Sequence, residues 1–163
     1  MKNKLNLMAF DIGSSSGRGM LGCFDGERIT LEEIHRFGNG PIQMMGMVYW
    51  DALNIFQNMI RTFEKYKQVG VGRLACFGID AWGNDYGLLD KNHQLISNLR
   101  CSRHTTQADV EAVHAIVPGL DTYHHTGLSS YSINTLYQVC RRIREGDPGI
   151  ENAYALMMVP DLL

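Results

Sequence analysis

The chain reads as an α/β domain built on a mixed sheet flanked by helices, and two observations predict this. Three strand-like runs open the sequence at residues 5–12, 18–24 and 28–37, joined by short turns. From Asp51 onward, segments of helical and strand period alternate, as they do where helices pack on a sheet containing parallel strands.

The elements follow in order. Residues 5–12 are apolar enough for a buried strand, and Gly13-Ser14-Ser15-Ser16-Gly17 is a turn of small residues. Asp25-Gly26 marks a tight hairpin between the second and third strands. Asp51 is placed to cap a helix whose apolar residues Leu53, Phe56, Met59/Ile60 and Phe63 recur at helical spacing, and this stripe is expected in the core. A short strand follows at 74–79, then a hairpin over 87–96 turning at Lys91-Asn92. A helix over 107–117 is expected to stop at Pro118-Gly119. A second, opened by Tyr131 or Ser132, is expected to bury Ile133, Leu136, Tyr137, Cys140 and Ile143 and to end before Gly146. Arg141, Arg142 and Arg144 read as its solvated face, favourably near the C-terminal end of the dipole. Residues 154–159 form a last apolar strand. The apolar finish at Leu162-Leu163 reads as a cut from a longer protein, so 1–163 is taken as one domain of it.

Composition narrows the function classes. A net charge of −2 leaves no basic footprint for nucleic acid or an anionic membrane. No apolar run approaches the ~20 residues that span a bilayer, and the N-terminus lacks the features of a signal peptide. The four cysteines (Cys23, Cys76, Cys101, Cys140) are dispersed, which speaks against zinc ligation and a disulfide framework and for a reducing cytoplasm. The six histidines show no ligand spacing. Met44-Met45-Gly46-Met47 reads as a flexible apolar loop.

Two segments carry chemistry. In Asp11-Ile12-Gly13-Ser14-Ser15-Ser16-Gly17-Arg18 a carboxylate leaves a core strand, small residues follow, and a cation closes the run. Glycine lets backbone amides approach an anion, hydroxyls and Arg18 suit phosphate oxygens, and Asp11 suits Mg²⁺. The alternative is a hairpin turn with solvated serines. In Gly78-Ile79-Asp80-Ala81-Trp82-Gly83-Asn84-Asp85 a second strand delivers a carboxylate to a loop. Trp82 can cover an apolar sugar face and Asp80 and Asp85 can accept from hydroxyls; the alternative is a tight turn with a core tryptophan. Ligands of open α/β sheets gather beyond strand ends.

Taken together, these segments resemble the FGGY carbohydrate kinases, in their rhamnulokinase branch. The resemblance rests on residues 11–18 and on His35-Arg36-Phe37, Asn39-Gly40, Trp50-Asp51, Gly78-Ile79-Asp80-Ala81-Trp82-Gly83, Leu88-Leu89-Asp90, Thr126-Gly127, Asn134-Thr135-Leu136-Tyr137-Gln138 and Pro160-Asp161, in the same order. It implies a ribonuclease-H-like (actin-like ATPase) half-domain, consistent with the three leading strands. It further implies transfer of the γ-phosphoryl group of MgATP to a ketose hydroxyl, giving L-rhamnulose 1-phosphate where the sugar is L-rhamnulose. Asp11, Gly13, Ser14, Ser15, Ser16, Gly17 and Arg18 would then serve ATP, with Asp11 beside the metal, and Asp80, Trp82, Gly83, Asp85 and Arg103 would serve the sugar. The catalytic aspartate base and the adenosine pocket belong to a C-terminal domain outside residues 1–163, the expected partner of this chain, so the fragment alone is expected to be inactive. Homo-oligomerisation is compatible with this. Relatives carry a Tyr-Arg-Asp-x-Arg run where Ser102-Arg103-His104-Thr105-Thr106 stands here, keeping Arg103 alone. That departure leaves a second reading open, a non-catalytic sugar-binding or regulatory relative.

Overall fold

A computed structural model describes residues 4–70 and 72–163. The chain divides into two compact units. Unit 1 comprises 1–41, 51–82 and Leu163, and unit 2 comprises 42–50 and 83–162.

Unit 1 is a four-stranded mixed sheet with one helix. β1 (Leu5–Ile12), β2 (Ser16–Phe24) and β3 (Ile29–Gly38) form an antiparallel meander. β6 (Leu74–Ala81) returns parallel to β1, giving the order β3-β2-β1-β6. The β2–β3 turn forms as the sequence predicts: Asp25 accepts from the N–H groups of Glu27 and Arg28, and Gly26 takes a positive φ. Between β3 and β6 runs α1 (Ala52–Val69), capped by Asp51, whose side chain accepts from Asn54 N–H. Alternate residues Met8, Phe10 and Ile12 of β1 are buried together with Leu21, Phe37, Ile55, Met59 and Tyr66.

The face of α1 differs from the expected one. Leu53 is 69% exposed, Phe56 50% and Ile60 44%, while Ala52, Ile55, Met59, Thr62 and Tyr66 are buried. Both stripes have helical spacing, so periodicity cannot choose between them. The sheet chooses: a Cβ on Gly19 of β2 would lie 2.3 Å from Thr62 Cγ2, so the helix settles on a small-residue pair. Of the expected stripe Met59 is buried and Phe63 packs inward, edge-on to Phe10 with ring centroids 5.3 Å apart.

Unit 2 combines short strands and helices. β4 (Ile42–Met44) and β5 (Met47–Trp50) form a hairpin turned by Met45 and Gly46, both at positive φ, so the methionine segment is a strand pair rather than a loop. β5 pairs with β8 (Leu99–Arg100). β7 (Tyr86–Leu89) pairs with β9 (Ala155–Met158), and the expected hairpin at Lys91-Asn92 forms with a short returning arm: Leu89 bridges Leu95, Ile96 N–H donates to Leu88 O and Asp90 N–H to Gln94 O, both at 2.9 Å.

The helices are α2 (Gln107–His114), α3 (Gly119–Thr126), α4 (Thr135–Arg144), α5 (Pro148–Glu151) and α6 (Val159–Leu162). Among the described residues none is long and apolar enough to cross a membrane. α3 was not expected: Pro118, read as a stop, is the N-cap of a new helix, and Gly127 ends it at positive φ.

α4 also differs. Its buried residues are Tyr137, Gln138 and Arg142, whereas Leu136 (43%) and Ile143 (59%) are exposed beside a groove of about 410 Å³. The arginines, expected as a solvated face, are all ion-paired; Arg142 is buried, Arg141 partly buried, and Arg144 alone stays exposed. Arg142 Nε meets Asp147 Oδ2 at 2.6 Å with both side chains buried, and Arg100 joins Asp147 at 2.9 Å. Arg141 and Arg144 pair with Asp109, and Arg141 and Arg100 with Glu145.

These pairs make unit 2 acid-sensitive. Burial opposes the charged forms of Asp109, Glu145 and Asp147, but donors outweigh it: Thr106 and the arginines at Asp109, Arg141 and Arg100 at Glu145, and Arg142, Gly149 N–H and Arg100 at Asp147. Each folded-state pKa therefore lies below its ordinary value. The stabilisation is complete above that ordinary value and is lost as pH falls through the folded values. Unit 2 is expected to hold its melting temperature from pH 7 to about 5 and to lose it steeply below about pH 4. A flat melting temperature down to pH 3 contradicts this.

Candidate functional site

Unit 1 gathers the first candidate segment at the C-terminal ends of two parallel strands. In β-sheet register Asp11 of β1 stands opposite Asp80 of β6, and on its other side opposite Arg18 of β2, which itself stands opposite Arg36 of β3. Residues in register on neighbouring strands share a face, so four charged positions form one row across the sheet. Arg18 Nε and Asp11 Oδ2 are 3.0 Å apart, both side chains about half exposed, and Arg36 is engaged by Glu33. Asp80 is exposed.

The turn between β1 and β2 is tightly held on its carbonyl side. Gly13 N–H donates to Ser16 O (3.0 Å), Asn39 N–H to Ser15 O (3.0 Å) and Asn39 Nδ2 to Gly13 O (2.7 Å). Two glycines have steric reasons. A Cβ on Gly13 would press on Ser16 O at 3.2 Å, and one on Gly17 would lie 2.3 Å from the ring of Phe37. Ser14 and Ser15 are exposed, with their N–H groups and hydroxyls directed to no acceptor among the described residues. Outward amides and hydroxyls beside a cation and a carboxylate suit a phosphate chain with a divalent metal. Asn39, buried at 6%, was not singled out by its chemistry in the sequence. An Asn-Gly pair after a strand is an ordinary turn signal, and only the fold carries it back to residue 13.

The second candidate segment is divided between the units. Asp80 and Trp82 end the last stretch of unit 1, and Gly83 opens the long stretch of unit 2. Trp82 is half-buried against the unit 1 core. In unit 2, Asn84 O accepts from Thr135 Oγ1 (2.9 Å) and Gln138 Nε2 (2.8 Å), which fixes Gly83 beside the start of α4. Gly83 lines a cavity of about 170 Å³ whose wall mixes the amides and hydroxyls of Asn84, Thr122, Asn134 and Thr135 with apolar surface from Leu128 and Leu136.

Asp85 does not face a ligand. Its carboxylate is inside unit 2, with the residue 1% exposed. It accepts from Trp50 Nε1 (2.7 Å), Ser102 N–H (2.7 Å) and Ser102 Oγ (3.3 Å). It holds a platform instead: the Arg103 guanidinium lies over the Trp50 ring, 5.8 Å from its centroid. Arg103, expected at the sugar, is exposed in a 3-10 turn, Ser102–His104, whereas Asp85, expected beside it, is the buried carboxylate beneath. Read three residues earlier, Leu99-Arg100-Cys101-Ser102-Arg103 keeps both arginines of the Tyr-Arg-Asp-x-Arg pattern, with Cys101 at the acidic position. Arg100 is committed to Glu145 and Asp147, and burial pushes the Cys101 thiol above its ordinary value, so neither supplies a reactive group. All four cysteines are free.

Known proteins give a consistent answer. The chain is 35% identical over 162 residues to a rhamnulokinase of Mannheimia succiniciproducens, which covers 98% of this chain and 33% of that protein. It is 36% identical over 163 residues to a rhamnulokinase of Enterococcus faecalis, with 98% and 32% covered. Over nearly its whole length the chain is similar to rhamnulokinases, which are sugar kinases of the FGGY type. It spans about one third of the length of the curated relatives it matches. No family model matches it. Among solved structures, a xylulose kinase from Rhodospirillum rubrum superposes with a TM-score of 0.80 at 11% identity, covering 98% of this chain and 33% of that one. A gluconate kinase from Lactobacillus acidophilus gives 0.78 at 15% identity, with 96% and 32% covered. These likenesses establish the actin-like sugar-kinase fold for the mixed α/β chain.

Proposed function

We propose that this chain is the phosphate-turn and sugar-contact portion of an ATP-dependent ketose kinase, with L-rhamnulose as substrate and L-rhamnulose 1-phosphate as product. One observation carries the reading: the match to rhamnulokinases extends over essentially the whole chain rather than one motif. The residues fit the group the reaction needs. Asp11 offers a hard oxygen ligand for Mg²⁺, while exposed Ser14 and Ser15 offer donors for phosphate oxygens. MgATP supplies the γ-phosphoryl group and the charge neutralisation of the metal. Ser14 to Ser16 and Arg18 hold the phosphate chain. In unit 1 Asp80 offers an acceptor for a sugar hydroxyl and Trp82 an apolar face, and in unit 2 Gly83 and Arg103 are the candidate sugar contacts. The base that takes the hydroxyl proton lies in the remainder of a relative-length protein, as does the adenosine site, and closure of the two parts excludes water. A reducing cytoplasm suits the free cysteines.

The test is ADP release from MgATP with L-rhamnulose, other ketoses, glycerol and no sugar. It is run on residues 1–163 and on the protein extended to the length of its relatives. The extended protein is expected to turn over at about 1–100 s⁻¹ with L-rhamnulose preferred, and residues 1–163 to show none. Silence of the extended protein with every sugar overturns the kinase reading, while preference for another ketose overturns the substrate.

A further inference from the structure

We infer that Asn39 is a positioning residue that sets the polarity of the phosphate turn. The inference rests on the reading of residues 13–18 as that turn. The three-residue connection between β1 and β2, Gly13 to Ser15, has several ways to direct its peptide groups, and only some present N–H groups to an anion. Here the carbonyls of Gly13, Ser15 and Ser16 are all occupied from within. Ser16 O accepts from Gly13 N–H, while Asn39 takes the other two, its backbone N–H bonding Ser15 O at 3.0 Å and its side-chain amide bonding Gly13 O at 2.7 Å.

A peptide plane whose C=O is tied inward turns its N–H the other way. The Gly13 carbonyl shares its plane with the Ser14 N–H, so the Asn39 side-chain bond orients the Ser14 amide outward. The Ser15 carbonyl shares its plane with the Ser16 N–H, held in the same manner by the Asn39 backbone. Without these bonds the carbonyls can rotate toward the ligand side, where their negative ends repel phosphate. Asn39 is itself buried at 6% just beyond the end of β3, where Ser16 registers with Gly38, so it is braced by the sheet and not by the turn it holds. Only a side chain with an N–H donor at this reach makes the Gly13 contact; aspartate puts an oxygen there and alanine nothing.

The test uses the 163-residue chain, ¹⁵N-labelled, titrated with sodium tripolyphosphate at neutral pH. Saturable amide shifts confined to residues 13–18 are expected for the wild type. Asn39→Ala is expected to keep the dispersed spectrum and to raise the apparent Kd about tenfold, the worth of a hydrogen bond to the binding geometry. A residue with a merely structural role lowers the melting temperature and leaves the Kd of the folded protein unchanged. Equal affinity of Asn39→Ala and wild type overturns this inference alone. Absence of wild-type shifts overturns the phosphate-turn reading and this inference with it. Should Asn39→Ala lose the folded spectrum, Asn39→Ser, neutral and one atom too short to reach Gly13 O, carries the test with the same outcomes.

Discussion

Asp85→Ala is expected to destabilise unit 2 by about 4 kcal/mol, because it leaves two buried donors without acceptors at about 1–3 kcal/mol each. Those donors are the indole N–H of Trp50, itself 2% exposed, and the backbone N–H of Ser102. The loss reaches the residue proposed to contact the sugar, since Trp50 is the surface on which Arg103 rests and Ser102 is the residue before it. Asp85→Asn is expected to cost about half as much, its one remaining oxygen serving one donor. Urea unfolding followed by Trp50 fluorescence in a Trp82→Phe background reads unit 2 alone, since the other tryptophan belongs to unit 1. A loss below about 1 kcal/mol for Asp85→Ala shows that water or a rearranged loop satisfies Trp50, and removes the argument that Asp85 is structural.

Asp147→Ala is expected to cost about 3–5 kcal/mol by leaving a buried guanidinium without its carboxylate. The Arg142 side chain is 7% exposed and Asp147 is its ion-pair partner, with the Tyr86 ring 5.6 Å from the guanidinium carbon as the other neighbour. Asp147 also caps α5 by accepting from Gly149 N–H at 2.8 Å and balances Arg100. The loss should shrink when both charges go. Arg142→Leu combined with Asp147→Ala is expected to be less destabilised than Asp147→Ala alone, because desolvation of two charges offsets much of their attraction. A double-mutant cycle over the four proteins measures this coupling, and strict additivity of the two single losses contradicts it.

Much of the fold was legible because it depends on neighbours in sequence. The bounds of β1 follow from an apolar run closed by Gly13, the β2–β3 hairpin from Asp25-Gly26, and the start of α1 from Asp51. The β1–β2 turn was legible for the same reason, as a strand, a carboxylate and small residues met in line. What sequence misjudged were choices between local patterns of equal merit. Leu53-Phe56-Ile60 and Ile55-Met59-Thr62 both satisfy a helix, and Pro118 both ends one helix and begins another.

By itself, then, the sequence determined the three leading strands, the helix that starts after Asp51, the strand that follows it, the likeness to rhamnulokinases, and the small-residue turn that leaves β1 with Asp11. The tertiary structure decided which stripe of α1 meets the sheet, because Gly19 admits Thr62 there. It decided that Asp85 is a buried acceptor rather than a surface ligand, because β5 and the Ser102 turn bring two donors to it across long stretches of chain. It tied the arginines of α4 into ion pairs and buried Arg142, because Asp109 and Asp147 arrive from other elements. And it placed Asn39 on the turn at Gly13, 26 residues away in sequence. Polar groups are buried only where a partner waits for them, and that partner is supplied by the fold and not by the adjacent residues.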